Sequence, residues 1–139
     1  MGIKIKAADT AFSKCVREAN DWKCEKCSTQ YERGSMGLHC SHIFSRRHRT
    51  IRWCKGNVQA LCFHCHQWFG GNPADSGVWV SGYMGEAHIE ILREKRDSRV
   101  KVPKTEEKLI AKHYREQLKI VEQKRLEGES GYIDFVSYQ

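Results

Sequence analysis

The chain has 139 residues, 40% apolar and 29% charged, a balance that suits one small globular domain and excludes a fibrous or low-complexity chain. No apolar stretch is long enough for a transmembrane helix, and the opening "MGIKIKAADTAF" lacks the apolar core of a secretory signal. Lys6 stands where a myristoylation motif needs Ser or Thr, so the expected compartment is the cytoplasm, and the formal charge of +7 favours an anionic partner, nucleic acid foremost.

In chain order, Ala8 to Asn20 places Ala8, Phe12, Cys15, Val16 and Ala19 on one helical face, with Asp9 or Thr10 able to cap it. "NDW" ends this helix before the knuckle Cys24-Glu-Lys-Cys27, and "QYERGSMG" reads as a loop. Met36 to Phe44 is predicted as a strand, and the basic segment after it as a long loop closed by Lys55-Gly56-Asn57. Val58 to Leu61 suits a second strand, and Cys62 to Phe69 a helix stopped by Gly70-Gly71-Asn72-Pro73. Short helices are expected over Asp75 to Tyr83 and Gly85 to Arg96. A long one, capped by Thr105, runs to about Leu126. Its stripe of Ile110, Tyr114, Leu118 and Val121 suits either packing on its own domain or a homodimer contact. The "YIDFV" of the tail is a late strand or disordered. Residues 1–73 thus form a core with an N-terminal helix, and residues 74–139 a helical C-terminal extension of the same domain.

Seven cysteines without a secretory signal argue for metal rather than disulfides. Cys24 and Cys27 form one CxxC, Cys62 and Cys65 a second; four thiolates suit a closed structural zinc site with no position open for chemistry. The 34 residues between Cys27 and Cys62 exceed the spacing of about 15–20 in a simple zinc ribbon. The insert carries His39, Cys40, His42, His48, Cys54 and Asn57, with His64 and His66 in the second knuckle. Surface or core roles suffice for His48, His64, His88 and His113. Arg46, Arg47, Arg49, Arg52 and Lys55, with no acid among them, form a candidate grip on DNA phosphates. Trp53 and Trp68 suit core packing or loop anchoring better than stacking on bases.

The spacing "SHI" at Ser41 to Ile43, Asn57 in "GNVQALC" and His66 in "CFHCH" resembles the HNH (ββα-metal, His-Me finger) nucleases. The steps of 15 residues from His42 to Asn57 and nine from Asn57 to His66 suit that motif, as do the two flanking knuckles. The outline "CVREANDWKCEKC", "GEAHIEI" and "EEKLIAKHYREQL" is most similar to the NinG (Rap) recombination nucleases of lambdoid bacteriophages. The resemblance implies a small α+β fold: a ββα-metal core stapled by a four-cysteine zinc site, with an N-terminal helix and a C-terminal helical extension. It implies His42 as general base, Asn57 as the residue fixing loop and strand, and His66 as ligand of a catalytic divalent cation. Ser41 departs from the family's second ligand. His39, on the same strand face, is assigned that role, with Cys40 on the other face as the alternative.

These residue types suit phosphodiester hydrolysis. A cation neutralises the phosphoryl oxygen, and a histidine titrating near neutrality takes a proton from water. Mg²⁺ or Mn²⁺ is expected, with Ni²⁺ or Zn²⁺ also compatible with imidazole. The family's substrates imply branched DNA such as Holliday junctions and D-loops, in the host cytoplasm. The competing reading is a zinc-stabilised DNA-binding module without catalysis.

Overall fold

The computed structural model describes residues 2–139. Among these, five α-helices surround one two-stranded antiparallel sheet, a small α+β architecture. Helix α1, Ala7–Ala19, starts one residue earlier than its apolar face suggests. Lys6 is its N-cap, and Asp9 accepts a hydrogen bond from the Lys6 backbone N–H at 2.8 Å, so neither Asp9 nor Thr10 is the cap. The expected face of Ala8, Phe12, Cys15, Val16 and Ala19 is buried throughout. Asp21 and Trp22 then take positive φ (55° and 59°), turning the chain into the first knuckle.

Strands β1, Leu38–His42, and β2, Val58–Cys62, pair in a register that sets His39 opposite Leu61, Ser41 opposite Gln59 and His42 opposite Val58. Side chains alternate, so His39, Ser41, Gln59 and Leu61 share one face and Cys40 and His42 the other. Helix α2, Phe63–Gly71, follows β2 without a break. It runs through Gly70 and Gly71, and Pro73 opens α3, Pro73–Met84, two residues before the expected start, because proline fits the first turn of a helix. Gly85, at φ 93°, separates α3 from α4, Glu86–Asp97.

The long helix α5, Glu107–Leu126, is preceded by a 3₁₀ turn over Lys104–Glu106, and no side chain caps it, Thr105 included. Ile110, Tyr114 and Val121 are buried in one cluster with α1, and Phe12 meets Tyr114 at a ring separation of 4.7 Å. Ile110, Tyr114 and Val121 of that stripe are therefore used within the chain, the first of its two expected roles, while Leu118 is half-buried. The tail forms no strand; Ile133 and Phe135 enter the same core. The tail also straps the loop between the strands: Trp53 N–H donates to Gln139 Oε1 and Lys55 N–H to Ser137 Oγ. Ile51 and Cys54, from that loop, pack with Val80, Ile89 and Leu92 of α3 and α4. Among the described residues no helix is long and apolar enough to cross a membrane.

Candidate functional site

The two knuckles converge. The sulfurs of Cys24, Cys27, Cys62 and Cys65 lie within 4.8 Å of one another, a cluster able to hold a metal ion. With Zn–S bonds of about 2.3 Å, tetrahedral geometry separates sulfurs by about 3.8 Å. Cys27 and Cys62 stand at 3.8 Å, so the donor set fits zinc. Cys62 N–H points at Cys24 Sγ (3.3 Å) and Cys65 N–H at Cys62 Sγ (3.5 Å), as suits thiolates. The Thr29 hydroxyl and backbone N–H pull the Cys27 thiol down to about 6, toward the ligand form. The insert between the knuckles is the hairpin itself, which explains the long spacing.

On the sheet face covered by α2, His39 meets His66. Their Nδ1 atoms are 2.9 Å apart and their rings are nearly perpendicular. At that distance one ring nitrogen donates a hydrogen bond to the other, and the two converging nitrogens are also close enough to share an octahedral cation, whose adjacent ligands at about 2.1 Å stand about 3.0 Å apart. Burial, then the neighbouring His39 and Arg46, lower the His66 pKa and favour the neutral imidazole a cation needs. Cys40, on the opposite face, packs against the α1 core, and burial pushes its thiol up to about 12.

His42 ends β1. Its Nε2 lies 2.9 Å from the Arg52 carbonyl oxygen, which can only accept. Nε2 must therefore carry the proton, leaving the Nδ1 lone pair free. Burial pushes the ring pKa down to about 4, against the opposing pull of that carbonyl. His42 is thus a neutral imidazole of fixed tautomer, titrating well below the near-neutral range that the sequence reading expects, because it is buried. Asn57, fully buried, clasps the intervening loop: Nδ2 donates to the Phe44 and Ile51 carbonyls at 3.0 and 3.1 Å, and Oδ1 accepts from Phe44 N–H at 2.9 Å. The loop so held delivers the Arg52 carbonyl to His42.

A cavity of about 560 Å³ opens beside these groups, lined by His42, His66, Cys40, Arg17, Arg46 and the polar side of α1. Comparison of the chain with family models, curated proteins and solved structures gave no match.

The structure divides the predicted phosphate grip. Arg46 lines the cleft and Arg47 is exposed. Arg52 is 4% exposed and forms a bidentate pair with Asp9 (2.9 and 2.6 Å), which also accepts from the Trp53 indole at 3.0 Å. It is a structural strut rather than a DNA contact. Burial would raise the Asp9 carboxyl, but the Arg52 guanidinium and the Lys6 N–H outweigh it and hold it below its ordinary value. Arg49 is likewise committed, to the Val102 carbonyl and Glu107, and Lys55 to Asp134 and the Phe135 carbonyl. The buried acid on α1 and the acids of the C-terminal half, remote in sequence, account for these departures.

Arg17 was not among the sequence candidates, yet it lines the cleft, anchored to the Ser13 carbonyl and stacked over Trp22. Its signal was its place on the polar face of α1 beside Thr10 and Ser13. Another feature had no signal at all: the side-chain oxygen of Ser41 and both amide atoms of Gln59, fully buried and opposite in register, have no hydrogen-bond partner in the protein. They lie on the sheet face that carries His39.

Proposed function

We propose that the chain is a metal-dependent DNA endonuclease of the HNH type, with a ββα-metal core and a structural zinc in the four-cysteine cluster. The observation that carries this reading is one hairpin and its following helix presenting a fixed-tautomer His42 and His66 in a cationic cleft, with His39 meeting His66 from the opposite sheet face and Asn57 clasping the loop.

In the proposed reaction His42 Nδ1 takes a proton from water while the water oxygen bonds to phosphorus. The phosphorus–oxygen bond to the leaving alkoxide breaks, and the alkoxide takes a proton from solvent. The Arg52 carbonyl holds the imidazole in orientation and accepts the N–H that becomes more acidic as the ring charges. A divalent cation held by His39 and His66 (Mg²⁺ or Mn²⁺, with Ni²⁺ or Zn²⁺ as further options) would neutralise the phosphoryl oxygen and stabilise the alkoxide. Arg17 and Arg46 bind flanking phosphates, so affinity is salt-sensitive and sequence-independent. The NinG resemblance favours branched recombination intermediates over simple duplex.

The test is cleavage of supercoiled plasmid, a single strand, a matched duplex and a four-way junction with each of these ions. Wild type should nick, with the junction cut fastest, and His42→Ala should abolish cleavage while keeping zinc content and far-UV dichroism. If wild type cuts no substrate with any ion, the enzyme reading is lost and the zinc-stapled DNA-binding module stands instead.

A further inference from the structure

The exposed side of α5 carries a feature the cleft does not use. Lys108, Lys112, Arg115 and Lys119 recur at steps of four, three and four residues, which superimposes them on one face of the helix, and all four are exposed. None of them takes part in an ion pair among the described residues. Glu116, exposed one position after Arg115, is the neighbouring acid on the helix and is in no ion pair with them. The stripe thus gathers four unpaired cations on one helix face.

The stripe is continuous with the cleft. Lys14 of α1, exposed and also outside any ion pair, faces Arg115 and Lys119 across a groove between the two helices. Thr10 lines both that groove and the cleft that holds His42 and Arg17. The acid in the groove, Glu122, is engaged by Arg33 at 2.9 Å. A cationic track therefore runs from Arg46 and Arg17, over Lys14, to the stripe on α5.

Resting on the nuclease reading, we propose that this track binds the phosphate backbone of duplex DNA flanking the bond to be cut, so that substrate recognition extends beyond the cleft. From Lys108 to Lys119 the helix rises about 17 Å, the length of about five base pairs. Lysine and arginine spaced by single helical turns, without aromatic anchors between them, suit a phosphate backbone. A protein interface would call for a desolvated apolar or aromatic centre. The exposed Leu109 and Ile120 lie about a quarter turn round α5 from the stripe, outside the track.

The test uses the full zinc-loaded chain without added divalent ion, so that binding is read without cleavage, on 8- and 24-base-pair duplexes by fluorescence anisotropy. The variant Lys108→Gln/Lys112→Gln/Arg115→Gln/Lys119→Gln should bind the long duplex at least tenfold more weakly and the short one within twofold of wild type. Four lost phosphate contacts correspond to a salt slope smaller by about 3.6. Between 50 and 200 mM salt, wild type should therefore lose about 150-fold more affinity for the long duplex than the variant does. A Lys108→Arg/Lys112→Arg/Lys119→Arg variant should bind as wild type. Equal losses on both lengths, or none, would overturn the proposal. So would tighter binding of wild type to anionic vesicles or polyglutamate than to DNA at the same salt. Cleavage by wild type is assayed separately, so failure of the nuclease reading leaves the length dependence interpretable.

Discussion

Replacing Asn57 by Ala tests whether the loop between the strands is held by one side chain. The amide makes three hydrogen bonds, all to backbone groups, from a fully buried position. At about 1 kcal/mol each, their loss costs about 3 kcal/mol, and more if Phe44 N–H and the Phe44 and Ile51 carbonyls find no new partners. For a chain of 139 residues the unfolding entropy is about 0.3 kcal/mol/K, so the midpoint should fall by about 10 °C. The assay is thermal and urea unfolding with zinc present, followed by far-UV dichroism and by tryptophan fluorescence, to which the fully buried Trp53 of the same loop contributes. Asn57→Asp sharpens the test. It keeps the acceptor and the shape but turns both donors into a carboxylate oxygen facing two carbonyls, so it should be at least as unstable as Asn57→Ala. Because the same loop supplies the Arg52 carbonyl to His42, cleavage should also fall at temperatures where the variant remains folded. A midpoint within about 3 °C of wild type for either variant would refute the clasp.

Nitrogen-detected NMR of the zinc-loaded protein should find His42 as the Nε2–H tautomer, titrating near 4 rather than near 6.5. Since the folded pKa is depressed below the unfolded value, His42 costs no stability above about pH 6.5. Stability is lost as pH falls from 6.5 to 4, where only the unfolded chain takes up the proton, and His42→Gln should flatten that part of the profile. Arg52→Ala leaves Asp9 charged and buried without its partner and should cost about 3–5 kcal/mol in urea unfolding, while the duplex affinity of the folded protein stays within twofold. Cys24→Ser or Cys65→Ser should lower the zinc content below one ion per chain by elemental analysis and abolish cooperative unfolding. Retention of one zinc in both would contradict the four-sulfur site. Gln59→Leu, which removes two buried amide atoms without partners, should raise the unfolding midpoint; a fall would mean that those atoms are satisfied in solution.

Much of the architecture was legible because it depends on local order. Helical spacing of Ala8, Phe12, Cys15, Val16 and Ala19 marks α1 wherever it docks, and the CxxC pairs specify thiolate chemistry at short range. The steps from His42 to Asn57 to His66 put the three residues at the end of β1, just before β2 and on α2, as the strand and helix readings of those segments require. Alternation along β1 was enough to set His39 and Cys40 on opposite faces, and the contact of His39 with His66 follows that choice. The pairing of charges was not legible. Arg46 and Arg52 look alike in the sequence, and only the buried Asp9, 43 residues away along the chain, turns Arg52 inward while Arg46 is left at the cleft. The tail gave an equally ambiguous reading, since Ile133 and Phe135 have no periodic partner and become core residues only where α1 and α5 meet. Local periodicity and ligand chemistry are written residue by residue, whereas the fate of a charged or isolated apolar side chain depends on which distant group desolvates it. The sequence by itself thus determined the elements and the metal-ligand types; the tertiary structure decided which arginines face solvent and joined the cleft to the basic face of α5.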